Sequence, residues 1–207
     1  LRPKPRDFNN FHTPQAARTQ MKRCVLTAAA MAFCCCGIVL GAPTSNVLQY
    51  PTGYFVPDSA LTYSSPYYRW YDEDWSWTHD PIAGPFTSAE LYISAWDVDW
   101  SGGEVDVISV YDAASASWTT LGSLTGMNDS WSYAVFPLSS VLYDDIQAGL
   151  QVHMDIDSTH TSSTWAVTLA KSVLSVDGGN VPNPAPNATV PEPTSLSLIG
   201  IGIWGDR

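Results

Sequence analysis

Residues 88–99, Ser-Ala-Glu-Leu-Tyr-Ile-Ser-Ala-Trp-Asp-Val-Asp, decide the fold class. Leu91, Ile93 and Ala95 fall on one side of a two-residue period, with Tyr92, Ser94 and Trp96 on the other. That is the signature of a half-buried strand. The same period recurs in 149–157, where Leu150, Val152, Met154 and Ile156 oppose Gln151, His153, Asp155 and Asp157. Further strands are expected in 104–111, 117–121, 130–136 and 164–176, the last broken near Lys171. Turn signals separate these runs: Ser101-Gly102-Gly103, Thr125 to Asp129, and Asp177 to Asn180. No stretch from 50 to 177 keeps a 3.6-residue apolar period over three turns, and only 138–147 suits a short crossover helix. The expected fold is all-β: an antiparallel, jelly-roll-like β-sandwich. Trp96, Trp118, Trp131 and Trp165 are candidates for its core.

Charge narrows the function. Between Pro43 and Pro193 the chain carries 18 Asp and Glu against only Arg69 and Lys171, a formal balance of −16. Such a surface repels nucleic acid, and the basic stripe that nucleic-acid binding needs is missing. It suits surroundings rich in divalent cations. All four cysteines, Cys24, Cys34, Cys35 and Cys36, lie in an apolar run ahead of the acidic body. The body therefore has no disulfide, thiolate metal site or cysteine nucleophile.

Three acidic constellations are candidate sites. Asp97 and Asp99 share a parity at a strand end, and a glycine turn returns Glu104 and Asp106 toward them. Four carboxylates meeting at one hairpin end repel one another unless a cation sits among them. Ca²⁺, which takes six to eight oxygens in flexible geometry, is the expected ion, with Asp157 as a fifth contributor. The spacing does not follow the EF-hand pattern, and solvated loop carboxylates are the alternative reading. Asp155 and Asp157 form the second constellation. The third, Asp72-Glu73-Asp74, is flanked by Trp70, Trp75 and Trp77, whose rings would stack on sugar faces or else serve as packing.

Catalytic patterns were sought along the same stretch. His79, His153 and His160 show no zinc spacing, and neither a Gly-x-Ser-x-Gly elbow nor a phosphate-binding glycine loop occurs.

Both ends read as addresses. Met21-Lys22-Arg23 followed by an apolar run to Ala42 has the pattern of a secretory signal peptide. Pro43 disfavours a cut directly after Ala42. At the other end Pro191-Glu192-Pro193 leads into Leu196-Ser-Leu-Ile-Gly-Ile-Gly-Ile203. This tail resembles that of PEP-CTERM proteins, bacterial surface proteins sorted by a membrane-embedded exosortase. The body also resembles the β-sandwich of many such proteins, through residues 69–79, 89–99, 103–106, 154–157 and 165–169. The resulting expectation is an over-extended gene start (1–20), a signal peptide (21–42), an N-terminal extension (43–65), the sandwich (66–178), a linker (179–190) and the sorting tail (191–207).

The resemblance implies an exported, non-catalytic surface or matrix protein that meets the membrane only through its terminal segments. Its implied partners are an exosortase-type enzyme and extracellular polysaccharide. The alternative is a small secreted hydrolase acting on polysaccharide.

Overall fold

The computed structural model describes residues 41–160 and 165–187. Pro191, Glu192, Pro193, the apolar tail and the leader before Gly41 lie outside the described residues. The strands are β1 (Thr44–Gln49), β2 (Arg69–Trp70), β3 (Trp75–Thr78), β4 (Ala89–Trp96), β5 (Val107–Asp112), β6 (Ser117–Ser123), β7 (Ser132–Pro137), β8 (Gln151–Asp155) and β9 (Ala166–Val176). One short helix, α1 (Tyr143–Ala148), follows a single 3₁₀ turn at Ser140–Leu142. Two antiparallel sheets result. One has the order β1-β9-β4-β7 with β2 on the edge of β9; the other has the order β3-β8-β5-β6. The fold is an all-β sandwich. Among the described residues no helix is long and apolar enough to cross a membrane.

The alternation that opens the sequence reading is the packing pattern. Leu91, Ile93 and Ala95 from one sheet and Val152 and Met154 from the other join one buried cluster with Ile108, Val110, Val167, Leu169 and Leu174. Burying each such side chain contributes roughly 1.5–3 kcal/mol, so the two patterned strands supply much of the reason the sheets face each other.

Four expectations need correction. The four tryptophans assigned to the core are not in it: Trp118 is 45% exposed, and Trp96, Trp131 and Trp165 are half-buried. The core aromatics are instead Trp75, Trp77 and Phe55, with ring centroids 5.2–5.7 Å apart. Residues 75 and 77 share a parity on β3 that faces the opposite sheet, while Ser76 and Thr78 face outward.

Residues 43–65 are not a mere extension either. β1 pairs with β9 from Thr44↔Val176 to Gln49↔Lys171. Only Leu48 of β1 is buried, so backbone pairing rather than apolar alternation places it.

β9 is not broken at Lys171. It runs through with a bulge opposite Ser94 and Ala95, which absorbs the extra residue without ending the ladder.

Finally, the segment 180–187 is not a free linker. Asn180 O accepts from Ser45 Oγ (2.7 Å), Pro184 O from Ser94 Oγ (2.5 Å) and Asn187 Oδ1 from Lys171 Nζ (3.4 Å). It straps the outer face of the β1-β9-β4 sheet, and Lys171 is fully buried with no carboxylate of the described residues paired to it. Burial lowers the Lys171 pKa below the usual lysine range. A buried unpaired ammonium is costly. Lys171→Met should therefore raise stability by about 1 kcal/mol, seen as a higher urea midpoint with unchanged slope. A lower midpoint would show that the Asn187 hydrogen bond outweighs the burial cost.

Candidate functional site

The topology gathers charge at one end of the sandwich. β4, β6 and β8 finish there, and β3, β5, β7 and β9 begin there. The connecting segments carry Asp72, Glu73, Asp74, Asp97, Asp99, Glu104, Asp106, Asp129 and Asp157, and β8 ends on Asp155. Among the described residues Arg69 is the one Lys or Arg side chain at this end. It donates to the carbonyls of Glu73 (2.7 Å) and Asp74 (3.1 Å) and lies 4.3 Å from the centre of the Tyr54 ring.

The expected parity of Asp97 with Asp99 fails because β4 stops at Trp96. Asp97 has φ 62°, a left-handed conformation that aspartate tolerates and a strand does not. Its Oδ1 turns to accept from the Asp129 amide (3.3 Å). A 3₁₀ turn over Trp100–Gly102 follows, closed by Gly103 at φ 107°, which only glycine adopts readily. Glu104 then folds back, and its Oε2 accepts from the Asp99 amide at 2.7 Å. Asp106 Oδ1 accepts from the Asp157 amide at 3.0 Å, and Asp74 Oδ1 from the Ile156 amide at 2.8 Å.

The five proposed ligands thus separate into an outer pair, Asp97 and Asp99, and an inner trio, Glu104, Asp106 and Asp157. The inner residues are 1%, 1% and 0% exposed. Asp74, Asp97, Glu104 and Asp106 each cap a loop amide through one oxygen, and among the described residues no three His, Asp or Glu side chains converge as a finished metal centre.

The second oxygens matter more. Glu104 Oε1 and Asp106 Oδ2 are buried with no hydrogen-bond partner. Burial, reinforced by the charge of Asp106, pushes the Glu104 pKa up to about 8. Burial pushes Asp106 up to about 7, with Asp157, Asp155 and Asp74 adding to it against the hydrogen bond from the Asp157 amide. Asp97 and Asp155 are also raised, chiefly by burial. An orphaned carboxylate oxygen in a field of like charge has two ways to lower its energy, taking a proton or meeting a cation. The donor set is all oxygen, which fits Ca²⁺ rather than a softer metal.

Aromatic rings border this end. Tyr63, Tyr68 and Trp70 form an edge-to-face row with centroids 5.3 and 5.2 Å apart. Trp96 Nε1 donates to Tyr63 Oη (3.0 Å), which donates to Asp129 Oδ1 (2.7 Å). Tyr63 is 56% exposed and Trp70 42%.

Of the three tryptophans assigned to sugar stacking, only Trp70 presents a face. Trp75 and Trp77 are buried, and Tyr54 stacks on Trp75 at 5.3 Å. Their two-residue spacing was the available signal for the core. Tyr63 was missed because nothing in the irregular stretch around it marks it as exposed.

One further arrangement has the hydrogen-bond order of a catalytic triad. His79 Nε2 lies 2.8 Å from Ser172 Oγ, and Nδ1 lies 2.8 Å from Asn46 Oδ1. Asn46 Oδ1 also accepts from the Asp80 amide (3.2 Å), so Nδ1 carries the proton and Ser172 donates to Nε2. Both His79 and Ser172 are buried, at 1% and 0% exposure, so no substrate reaches them. The chain of bonds ties β1, the β3 end and β9 together. Burial lowers the His79 pKa to about 4 against the opposing pull of Asp80.

Comparison with protein-family models and with curated proteins finds no match.

Proposed function

We propose that this chain is an exported, non-catalytic surface or extracellular-matrix protein of a bacterium, whose acidic end binds Ca²⁺ and there associates with polysaccharide. The observation that carries the reading is the pair of buried, unpartnered oxygens of Glu104 and Asp106, at the end where nine carboxylates of the connecting segments and Asp155 of β8 gather. Ca²⁺ would draw on those two oxygens, with Asp157, Asp99 and Asp97 as the further carboxylates within the same loops. The row Tyr63, Tyr68 and Trp70, exposed at Tyr63 and Trp70, supports the polysaccharide half, since flat rings stack on sugar faces beside acceptors for hydroxyl groups. Its tail, Pro191-Glu192-Pro193 and the apolar run after it, supports sorting by an exosortase-type enzyme and a membrane attachment confined to the terminal segments. We also read the sandwich as jelly-roll-like, because the chain from β6 to β9 changes sheet at every step.

Isothermal titration of the exported protein with Ca²⁺ tests the site. Wild type should give saturable heat that Asp106→Asn abolishes and Asp99→Ala weakens by about tenfold, the scale of one lost ligand contact. No heat in wild type would end the calcium reading. A glycan array run beside a hydrolase panel separates the two functional classes: binding without turnover supports the proposal, and turnover supports the secreted hydrolase.

A further inference from the structure

Asp177 sits at the opposite end of the sandwich from the acidic site, just past β9. Its Oδ1 is saturated: it accepts from the Thr87 amide (2.8 Å), Thr87 Oγ1 (2.9 Å) and the Ser88 amide (3.0 Å). Its Oδ2 is buried and has no hydrogen-bond partner. The hydrogen bonds from Thr87 and Ser88 hold the Asp177 pKa below the usual carboxylate value, so the group is charged and half of it lacks a counterpart. Among the described residues neither Lys nor Arg supplies one. Lys171 is bound to Asn187 under the strap, and Arg69 is bound to the Glu73 and Asp74 carbonyls at the far end.

What stands next to Asp177 is the beginning of the described chain. Gly41 and Pro43 line a recess of about 360 Å³ together with Thr87, Ser88 and Asp177. A Cβ on Gly41 would lie 3.7 Å from Asp177 Oδ2 and only 2.2 Å from the Pro85 carbonyl oxygen, so this place accepts nothing larger than glycine. Reading outward, Val39-Leu40-Gly41 precedes Ala42-Pro43. A short aliphatic residue and then glycine, two positions apart, meet the requirement of a signal-peptide cleavage site, and a cut after Gly41 leaves alanine rather than proline as the first residue.

We infer that export cleaves the Gly41–Ala42 bond, and that the α-ammonium released on Ala42 occupies the place beside Asp177 Oδ2 as its missing cation. The inference rests on the reading of 21–42 as a secretory leader. Hydrolysis consumes one water: the carboxyl goes to Gly41 on the departing leader, and the amine stays on Ala42. With Gly41 gone, the space against Pro85 is free for a solvated or directly bonded ammonium. A neutral amide N–H is thereby replaced by a charge-assisted pair at the point where β1 enters its sheet. Processing would then complete the folded domain as well as release it.

The test uses the full chain expressed with its own leader in an exporting bacterial host. Intact mass and N-terminal sequencing should give Ala42 as the first residue. Cleavage at any other bond overturns the inference and leaves the export reading standing. An intact leader on protein retained in the cytosol overturns both. For the pairing, the α-amine of the exported protein is dimethylated with ¹³C-formaldehyde and titrated by NMR. Its pKa should lie about one unit above the ordinary 7.7–8.0 of a free terminus and return to that range in Asp177→Asn. Asparagine keeps an oxygen for Thr87 and Ser88, so the variant is expected to fold. An ordinary pKa in wild type, or a raised one that survives Asp177→Asn, would overturn the pairing.

Discussion

Metal-free protein should lose stability as pH rises from 6.5 to 8, and Ca²⁺ should remove that loss. Glu104 and Asp106 have folded pKa values of about 8 and about 7, above the usual carboxylate range. Across this window the unfolded chain has released both protons and the folded protein still holds part of them. Stability therefore falls as pH rises through the folded values. His79 acts with the opposite sign and lower down. Its folded pKa of about 4 lies below the ordinary 6.5, so its contribution is complete above 6.5 and lost only toward pH 4. The carboxyl effect is thus isolated between 6.5 and 8. Allowing for screening at an end that borders solvent, it should amount to about 1–2 kcal/mol, or roughly 3–8 °C in Tm.

Ca²⁺ binds the ionised carboxylates, so saturating metal should add about 3 kcal/mol at a hundredfold excess over its Kd and flatten the slope. Glu104→Gln separates this account from general charge repulsion. Its amide oxygen can still accept from the Asp99 amide, but the side chain cannot ionise. The variant should be more stable than wild type at pH 8 in chelator, equal to it near pH 5, and unresponsive to Ca²⁺. A flat wild-type profile in chelator, or a Glu104→Gln protein weaker at pH 8, would refute the buried-carboxylate account.

The strands with alternating apolar residues were legible because alternation is itself the packing. Leu91, Ile93 and Ala95 had to face one way, and they do. β1 was invisible for the complementary reason that a strand held by its ladder, with Leu48 as its only buried side chain, leaves no pattern. Period two applied to Trp75 and Trp77 would have placed them in the core, but their acidic neighbours suggested a surface. The candidate site was legible as composition and turn chemistry, since Asp and Glu crowd the loops that the strand order brings to one end. Its internal geometry was not, because Asp97 and Asp157 adopt left-handed backbone that ends the parity argument. Which oxygen each carboxylate spends on an amide, and which it leaves bare, depends on contacts between loops as far apart as residues 106 and 157.

His79→Ala should be the most damaging single substitution of a polar residue, at about 3–5 kcal/mol. The imidazole is the middle of a buried chain from Asn46 through Nδ1–H and Nε2 to Ser172. Truncation leaves a cavity between β1, the β3 end and β9. It also removes the acceptor of the buried Ser172 hydroxyl, at the cost of an unsatisfied group, and one of the two donors to Asn46 Oδ1. Ser172→Ala removes only a hydroxyl and leaves Nε2 without its donor, so it should cost less, about 1–2 kcal/mol. Urea unfolding at pH 7 measures both.

A second readout separates the network from packing alone. Measured against His79→Ala, wild type should lose its advantage as pH falls from 6.5 toward 4, because the unfolded histidine gains a proton that the folded one refuses, while Glu104 and Asp106 raise the stability of both proteins over the same window. Both proteins should keep the loss from Glu104 and Asp106 as pH rises, since His79 and those carboxyls lie toward opposite ends of the sandwich. If the difference between the two proteins does not shrink toward pH 4, the role given to His79 is wrong. If Ser172→Ala costs as much as His79→Ala, the hydroxyl rather than the ring holds the three strands together.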